Sequence, residues 1–350
     1  VTSTLTTAGA PGRDRARLAA FARTRLVAAP VLLAVLVAIA IWLSIAVGSV
    51  FLPLSDVIAA LGGARTNDAH LIVQDLRIPR TVAGVVAGVC LAVAGVLLQG
   101  STRNPLASPT LLGITSGAGF AVVIGVALLG LPSTWAVGLA FVGGAGAASL
   151  ALALAGTGRD GLSPLRLALS GALVSLLLSA WTQAVLALNE ADADEVRHWL
   201  AGSLAGRDAA AIPPLLPLLA VGLVAAVLLA RPLDALALGD EAAIGLGQRP
   251  GRIRVVSGLT AVALAALAVS VAGPIAFLGL IAPHIARFLV GGRHLPVLLA
   301  SALIGPALLL GADIVGRIVA PPSEVQAGVL TAMIGAPILI RIATRARSVS

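Results

Sequence analysis

No lysine occurs in the 350 residues; all 23 basic side chains are arginines. A nucleotide-binding loop of the G-x-x-x-x-G-K type is therefore excluded, and any work driven by ATP needs a second polypeptide. Charged residues make up only 11% of the chain, too few for an ordinary soluble domain. The single cysteine, Cys90, can form no internal disulfide and no cysteine-based zinc site, and it reads as a small packing residue. Only four histidines are present. His284, next to Pro283 near the end of an apolar run, reads as a helix-end residue satisfied by a carbonyl, while His70, His198 and His294 fall in loops without an assigned role. There is no H-E-x-x-H pair, no glycine-rich phosphate loop and no Ser/His/Asp constellation. The sequence therefore offers no catalytic residue, no metal-ligating set and no cofactor site.

What the chain does contain is long apolar runs. Hydrophobic residues reach 59% and the mean hydropathy is +1.05. A helix crossing the hydrocarbon core of a bilayer needs about 20 apolar residues. Ten runs are read as spans: Val27–Val47, Thr81–Leu98, Leu111–Leu131, Trp135–Ala155, Leu167–Leu188, Ile212–Ala230, Val255–Val271, Ile275–Val290, Leu295–Ala312 and Val325–Ile340. The eighth is interrupted by Pro283, His284 and Arg287, which blurs its boundaries. The expected fold is all-α, a polytopic membrane protein with about ten transmembrane helices. The first run, at 21 residues, exceeds the ~7–15 of a signal-peptide core, and it reads as an uncleaved span.

The arginines sit in islands between these runs. With the N-terminus inside, 17 arginines and five acids fall on inner segments, against six arginines and ten acids outside. That asymmetry follows the positive-inside rule, and an even number of spans places both termini in the cytoplasm. Topology accounts for the net charge of +8, and nucleic-acid binding is a poor reading of it.

Residues 1–26 are expected to form a cytoplasmic, disordered leader, 27–345 the membrane domain and 346–350 a cytoplasmic tail. Three connections are long enough to hold structure: Gly48–Pro79 and Asn189–Ala211 outside, and Arg231–Arg254 inside. Of the 39 glycines many lie inside spans, including Gly84 and Gly88, and Gly143, Gly144 and Gly146. Small residues let helix backbones approach closely in lipid, so bundle packing is the expectation, with a glycine-lined passage as the competing one. Gln99–Pro109 and Gly273–His284 interrupt helices with Gly and Pro at the membrane edge. Backbone freed at that depth must be buried in protein or face an aqueous cavity, so both are pathway or hinge candidates beside ordinary turns.

Apart from the edge residues Arg287 and Asp313, and His284 near a helix end, the spans carry no acidic or basic side chain. Ion-coupled carriers place such groups at the bilayer midplane. Their lack argues against proton or sodium coupling and for energy supplied by a partner. The inner loop Arg231–Gly247 is where such a partner would bind, with a solvated loop helix as the competing reading. Asp240 and Glu241 suit the positive end of a short helix, and Gly245 and Gly247 suit its stop. Gln99, Asn104, Ser116 and Gln183 are polar residues on or beside candidate pathway segments, with helix–helix hydrogen bonding as the alternative.

Several stretches carry a resemblance. They are Leu76–Thr81, Gly95–Gly117, Leu236–Ala243, Phe277–Arg287, Gly311–Arg317 and Gly328–Pro337. In this order and over most of the chain, they resemble the FecCD family, permease subunits of ABC importers for iron–siderophores, haem and cobalamin. The resemblance implies ten spans, a second permease subunit, identical or homologous, two cytoplasmic ATPases and an extracytoplasmic substrate-binding protein. It makes Leu238, Gly239, Asp240, Glu241, Ala242, Gly245 and Gly247 the ATPase-coupling surface. It also makes Arg77, Arg80 and Arg317, three of the six outer arginines, the sites that receive acids of the binding protein. The competing reading pairs Asp313 with Arg317 on one helix face, and Asp75 with Arg77. The expected cargo is a ferric siderophore. Cobalamin or haem on the same machine is the alternative, and an ion-coupled carrier or channel a more distant one.

Overall fold

The computed structural model describes residues 11–156, 164–188, 202–206, 209–320 and 323–347. Each of the ten apolar runs lies on a helix. Water is not available inside a bilayer to satisfy peptide groups, so a chain of this composition bonds its backbone within helices. The helices are α1 (Pro11–Ala46), α2 (Leu54–Leu61), α3 (Asp68–Leu71), α4 (Ile78–Thr102), α5 (Ile114–Val123), α6 (Ala136–Gly156) and α7 (Pro164–Leu188). They continue with α8 (Leu216–Ala237), α9 (Asp240–Gly245), α10 (Pro250–Ala272), α11 (Leu278–Val290), α12 (His294–Val319) and α13 (Ala327–Arg347). Seven are long and apolar enough to cross a membrane. Three shorter apolar helices, Ile114–Leu128, Leu278–Val290 and Ala327–Ile338, account for the remaining runs.

Helix α1 begins at Pro11, so residues 11–26 are helical and do not form the expected unstructured leader. Their composition explains the extension: alanine, arginine and leucine are strong helix formers, and proline fits the first turn. Residues 1–10 lie outside the described part, as does most of the Asn189–Ala211 connection, including His198 and Arg197.

Helix α4 is the axis of the bundle. Its span is 83% buried, that of α10 72% and that of α12 61%, whereas α1, α6, α7 and α8 lie between 17% and 28%. Helices α8, α10, α11 and α12 pack around α4, α1 lies against α12, and α5, α6 and α7 form a group joined to the rest through α6 and α10.

Glycine makes the close contacts possible. A Cβ at Gly88 would stand 2.6 Å from the Pro306 backbone of α12, and one at Gly95 would enter the Gly279 carbonyl of α11. Gly143 of α6 meets the Gly117 backbone of α5 in the same way. These glycines are helix–helix packing contacts, as the small-residue spacing led one to expect. Cys90 is fully buried on α4 among apolar neighbours.

The two helix-breaking segments meet. Gly279 packs against Pro109, and its carbonyl accepts a hydrogen bond from Gln99 Nε2 at 3.3 Å. The turns are made with left-handed residues at Arg103 (φ 50°), Gly113 (φ 76°), Gly273 (φ 73°) and Phe277 (φ 64°).

Candidate functional site

The polar side chains gather at the two ends of α4, which its 25 residues set about 36 Å apart. At the N-terminal end, Arg77, Arg80 and Arg317 join one network. Arg77 is 4% exposed and donates to the carbonyls of Ile45 (2.9 Å), Ala46 (2.7 Å) and Val50 (2.6 Å). Arg317, 2% exposed, donates to Ser44 O (2.8 Å), Val47 O (3.0 Å) and Ser44 Oγ (3.0 Å) and pairs with Asp313 one turn earlier. Arg80 is bidentate to Asp313, with Nη2 at 2.7 Å from Oδ1, and reaches Glu324 at 2.6 Å. Arg77 and Arg317 together satisfy carbonyls left open where α1 ends, which a helix terminus otherwise leaves to water.

Arg77 and Arg317 have their donors committed inside the protein, and the local Asp313–Arg317 pair exists. Asp75 does not neutralise Arg77; it pairs with exposed Arg65. Beside the network, Arg77, Arg80, Arg317 and Glu324 line a pocket of about 340 Å³ with Gly48, Leu76 and Gly206.

At the other end of α4, the segment after α8 makes the short helix α9. Gly239 (φ 111°) takes a conformation that side chains disfavour and turns the chain into it, and Gly247 (φ 76°) turns it out. Asp240 at the first position is bidentate to Arg254 of α10 (2.8 and 2.9 Å) and lies 3.1 Å from Arg103, the residue closing α4. The hydrogen bonds from Arg254 hold the Asp240 carboxyl below its ordinary pKa. Partial desolvation opposes this, and the charges of Arg254 and Arg103 reinforce it. Arg254 also reaches the Ser101 carbonyl at 3.4 Å. A three-way clamp thus ties α9 to α4 and α10. Glu241 and Ala242 are exposed, and Leu238 (70%), Ile244 (61%) and Leu246 (60%) present apolar side chains on the same projecting segment.

The four pathway candidates do not converge. Gln99 is 3% exposed and accepts from Arg287 Nη1 at 2.5 Å while holding Gly279, so it joins α4 to α11. Asn104 accepts from the Leu106 amide at 2.9 Å within its turn. Ser116 accepts from Ser179 of α7 at 3.2 Å. Gln183 stands exposed on α7, apart from the others. Gln99 and Ser116 each hydrogen-bond to a neighbouring helix. His284 is exposed, and among the described residues it has no carbonyl partner.

Sequence reasoning missed Asp234, His294, Arg103 and Arg254. Asp234 of α8 accepts from both the amide and Nδ1 of His294 (2.8 and 2.7 Å), capping α12 from another helix. No local spacing encodes that bond. The i, i+4 spacing of Asp313 and Arg317 was the one visible signal.

The FecCD transport family matches residues 36–345. The chain belongs to this family. It is 43% identical to the ferric enterobactin transport system permease protein FepD of Escherichia coli (strain K12) over 325 residues, 92% of this chain and 96% of that protein. It is also 43% identical to YfiZ of Bacillus subtilis (strain 168), a siderophore transport system permease protein by name, over 80% of this chain and 84% of that one. A solved structure described as an inward-facing conformation of a metal-chelate type ABC transporter superposes with a TM-score of 0.77 at 26% identity, covering 91% of this chain and 99% of that chain. As a FecCD family member with several apolar helices, the chain is a multi-pass membrane protein.

Proposed function

We propose that this chain is the permease subunit of an ABC importer that carries ferric siderophores across the cytoplasmic membrane. The carrying observation is near-full-length similarity to siderophore permeases, FepD above all. In this reading two permease subunits, identical or homologous, flank the path. Two cytoplasmic ATPases drive them, and an extracytoplasmic binding protein delivers the chelate. Both termini are cytoplasmic, as the arginine distribution favours.

The ATPase engages the segment Leu238, Gly239, Asp240, Glu241, Ala242, Gly245 and Gly247. Exposed apolar side chains beside a charge-clamped short helix suit a protein contact that must transmit a push, because the clamp passes displacement of α9 directly to α4 and α10. At the far end, Arg80 is the docking arginine. Its bond to partly exposed Glu324 is the outermost link of the network, and an acid of the binding protein can exchange with Glu324. Arg77 and Arg317 hold the mouth in shape behind it. A strain lacking this permease should fail to grow on a ferric siderophore as iron source and fail to accumulate its radiolabelled form. Unchanged ferric uptake with lost cobalamin uptake would reject the cargo assignment. Reporter fusions after Ala64 should read outside and fusions after Gly247 inside; a periplasmic Gly247 would reject the topology.

A further inference from the structure

A groove of about 400 Å³ lies between α8 and the start of α10, lined by Leu229, Pro232, Gln248, Arg249, Arg252, Ile253 and Val256 with Gly247. Its chemistry is divided. Arg249 and Arg252 stand exposed at one side, and among the described residues neither guanidinium has a hydrogen bond or ion pair. Their neighbour Arg254 differs, since Asp240 occupies it. Among the described residues no acid lines the groove. The rest of the lining is mostly apolar, and the flanks of α8 and α10 expose Val224 (60%), Leu228 (71%), Val256 (38%) and Leu259 (52%).

We infer that this groove binds an anionic phospholipid, its phosphate on Arg249 and Arg252 and its acyl chains along the exposed faces of α8 and α10. Depth favours lipid over a soluble partner. Val256 lies about 9 Å along α10 from Pro250, and Leu229 about 12 Å back along α8 from Ala237. A protein docked on α9 meets the ends of these helices, whereas lipid lies along their flanks. Guanidinium groups match phosphate oxygens with paired donors, and basic pockets between transmembrane helices are the usual seat of anionic headgroups. The position also matters. Gly247 and Gln248 leave α9 and enter the groove wall, so the lipid would brace the root of the segment that carries coupling.

The test uses the full chain purified in a neutral detergent, with native mass spectrometry counting retained phosphatidylglycerol against phosphatidylcholine. Wild type should retain phosphatidylglycerol preferentially. Each of Arg249→Gln and Arg252→Gln should weaken retention about fivefold, on the scale of one basic side chain at a membrane surface. Leu229→Trp, which fills the apolar part of the lining and leaves both arginines, should also displace the lipid. Arg293→Gln, at an exposed arginine outside the groove, should leave retention unchanged. Equal retention by the Arg249→Gln/Arg252→Gln variant would overturn the proposal and leave the two arginines as topological charge. Inorganic phosphate displacing the lipid at equal concentration would also overturn it, because the acyl chains would then contribute nothing. So would loss of ATPase binding in that variant with lipid retention intact.

Discussion

Replacing Arg317 with methionine separates a structural arginine from a docking one. Helix α1 meets the bundle on one face only, along α12, with 17% of its span buried. Polar bonds add to that contact where it ends. Arg317 supplies three of them, to Ser44 O, Val47 O and Ser44 Oγ, and it neutralises Asp313. Methionine preserves much of the volume and removes every donor. Losing one partner of a buried ion pair costs about 3–5 kcal/mol, part of it the penalty of the stranded charge. Asp313 keeps Arg80, which pulls the cost toward the lower bound, and the freed carbonyls pull it back up. We expect a net loss of about 3–5 kcal/mol. Arg65→Gln supplies the contrast at the same end. Its pair with Asp75 is 57% and 53% exposed, and such pairs contribute about 0–1 kcal/mol. The assay is reversible unfolding in mixed micelles titrated with SDS, run beside binding-protein affinity. An Arg317→Met protein as stable as wild type, with binding-protein affinity abolished, would refute the structural assignment.

Four further outcomes follow from the geometry. Glu324→Gln should strengthen binding-protein association by freeing Arg80, and Arg80→Glu should weaken it, both read by surface binding at varied salt, since charge pairing is screened beyond ~8 Å at physiological ionic strength. Gly95→Val should destabilise by at least about 1–3 kcal/mol, because the added carbons meet the Gly279 backbone and not a movable side chain; unfolding in the same micelles checks it. Glu241→Arg and Gly247→Trp should uncouple ATP hydrolysis from transport while leaving membrane insertion intact, and normal transport by both would make α9 a passive connection. The Asp240 carboxyl is held below its ordinary pKa, so the clamp's contribution is complete above the ordinary carboxylate value and is lost only as pH falls through the lowered one. Coupling measured from pH 8 down to pH 5 should therefore show no loss from this group, whereas Asp240→Asn should lower coupling at every pH.

The membrane architecture was legible because hydropathy is a property of runs. Ten stretches of apolar residues name ten helices without any knowledge of their partners, and the glycine spacing at Gly84 and Gly88 marks the face of α4 that meets α12. The short helix at Asp240 was legible for a local reason, acids at its start and glycines around its ends. The helical stretch from Pro11 was hidden by arginine, which signals topology and helix propensity together. The roles of Arg77, Arg103, Arg254 and Asp234 could not be read, because each contacts residues distant in the chain. Arg77 reaches carbonyls of α1, and a backbone acceptor leaves no mark in sequence. Gln99 was singled out correctly as an unusual polar residue, yet its partners Arg287 and Gly279 lie some 180 positions away, so polarity alone could not distinguish a pathway lining from a helix–helix bond.

The central claim is transport of a ferric chelate driven by a separate ATPase through the α9 segment. Reconstitution in proteoliposomes with the ATPase and the binding protein tests it most directly, by counting radiolabelled ferric siderophore accumulated with and without ATP. The account predicts accumulation that needs ATP and both partners and that persists when proton and sodium gradients are collapsed. Accumulation by the permease alone, driven by either gradient, would contradict it.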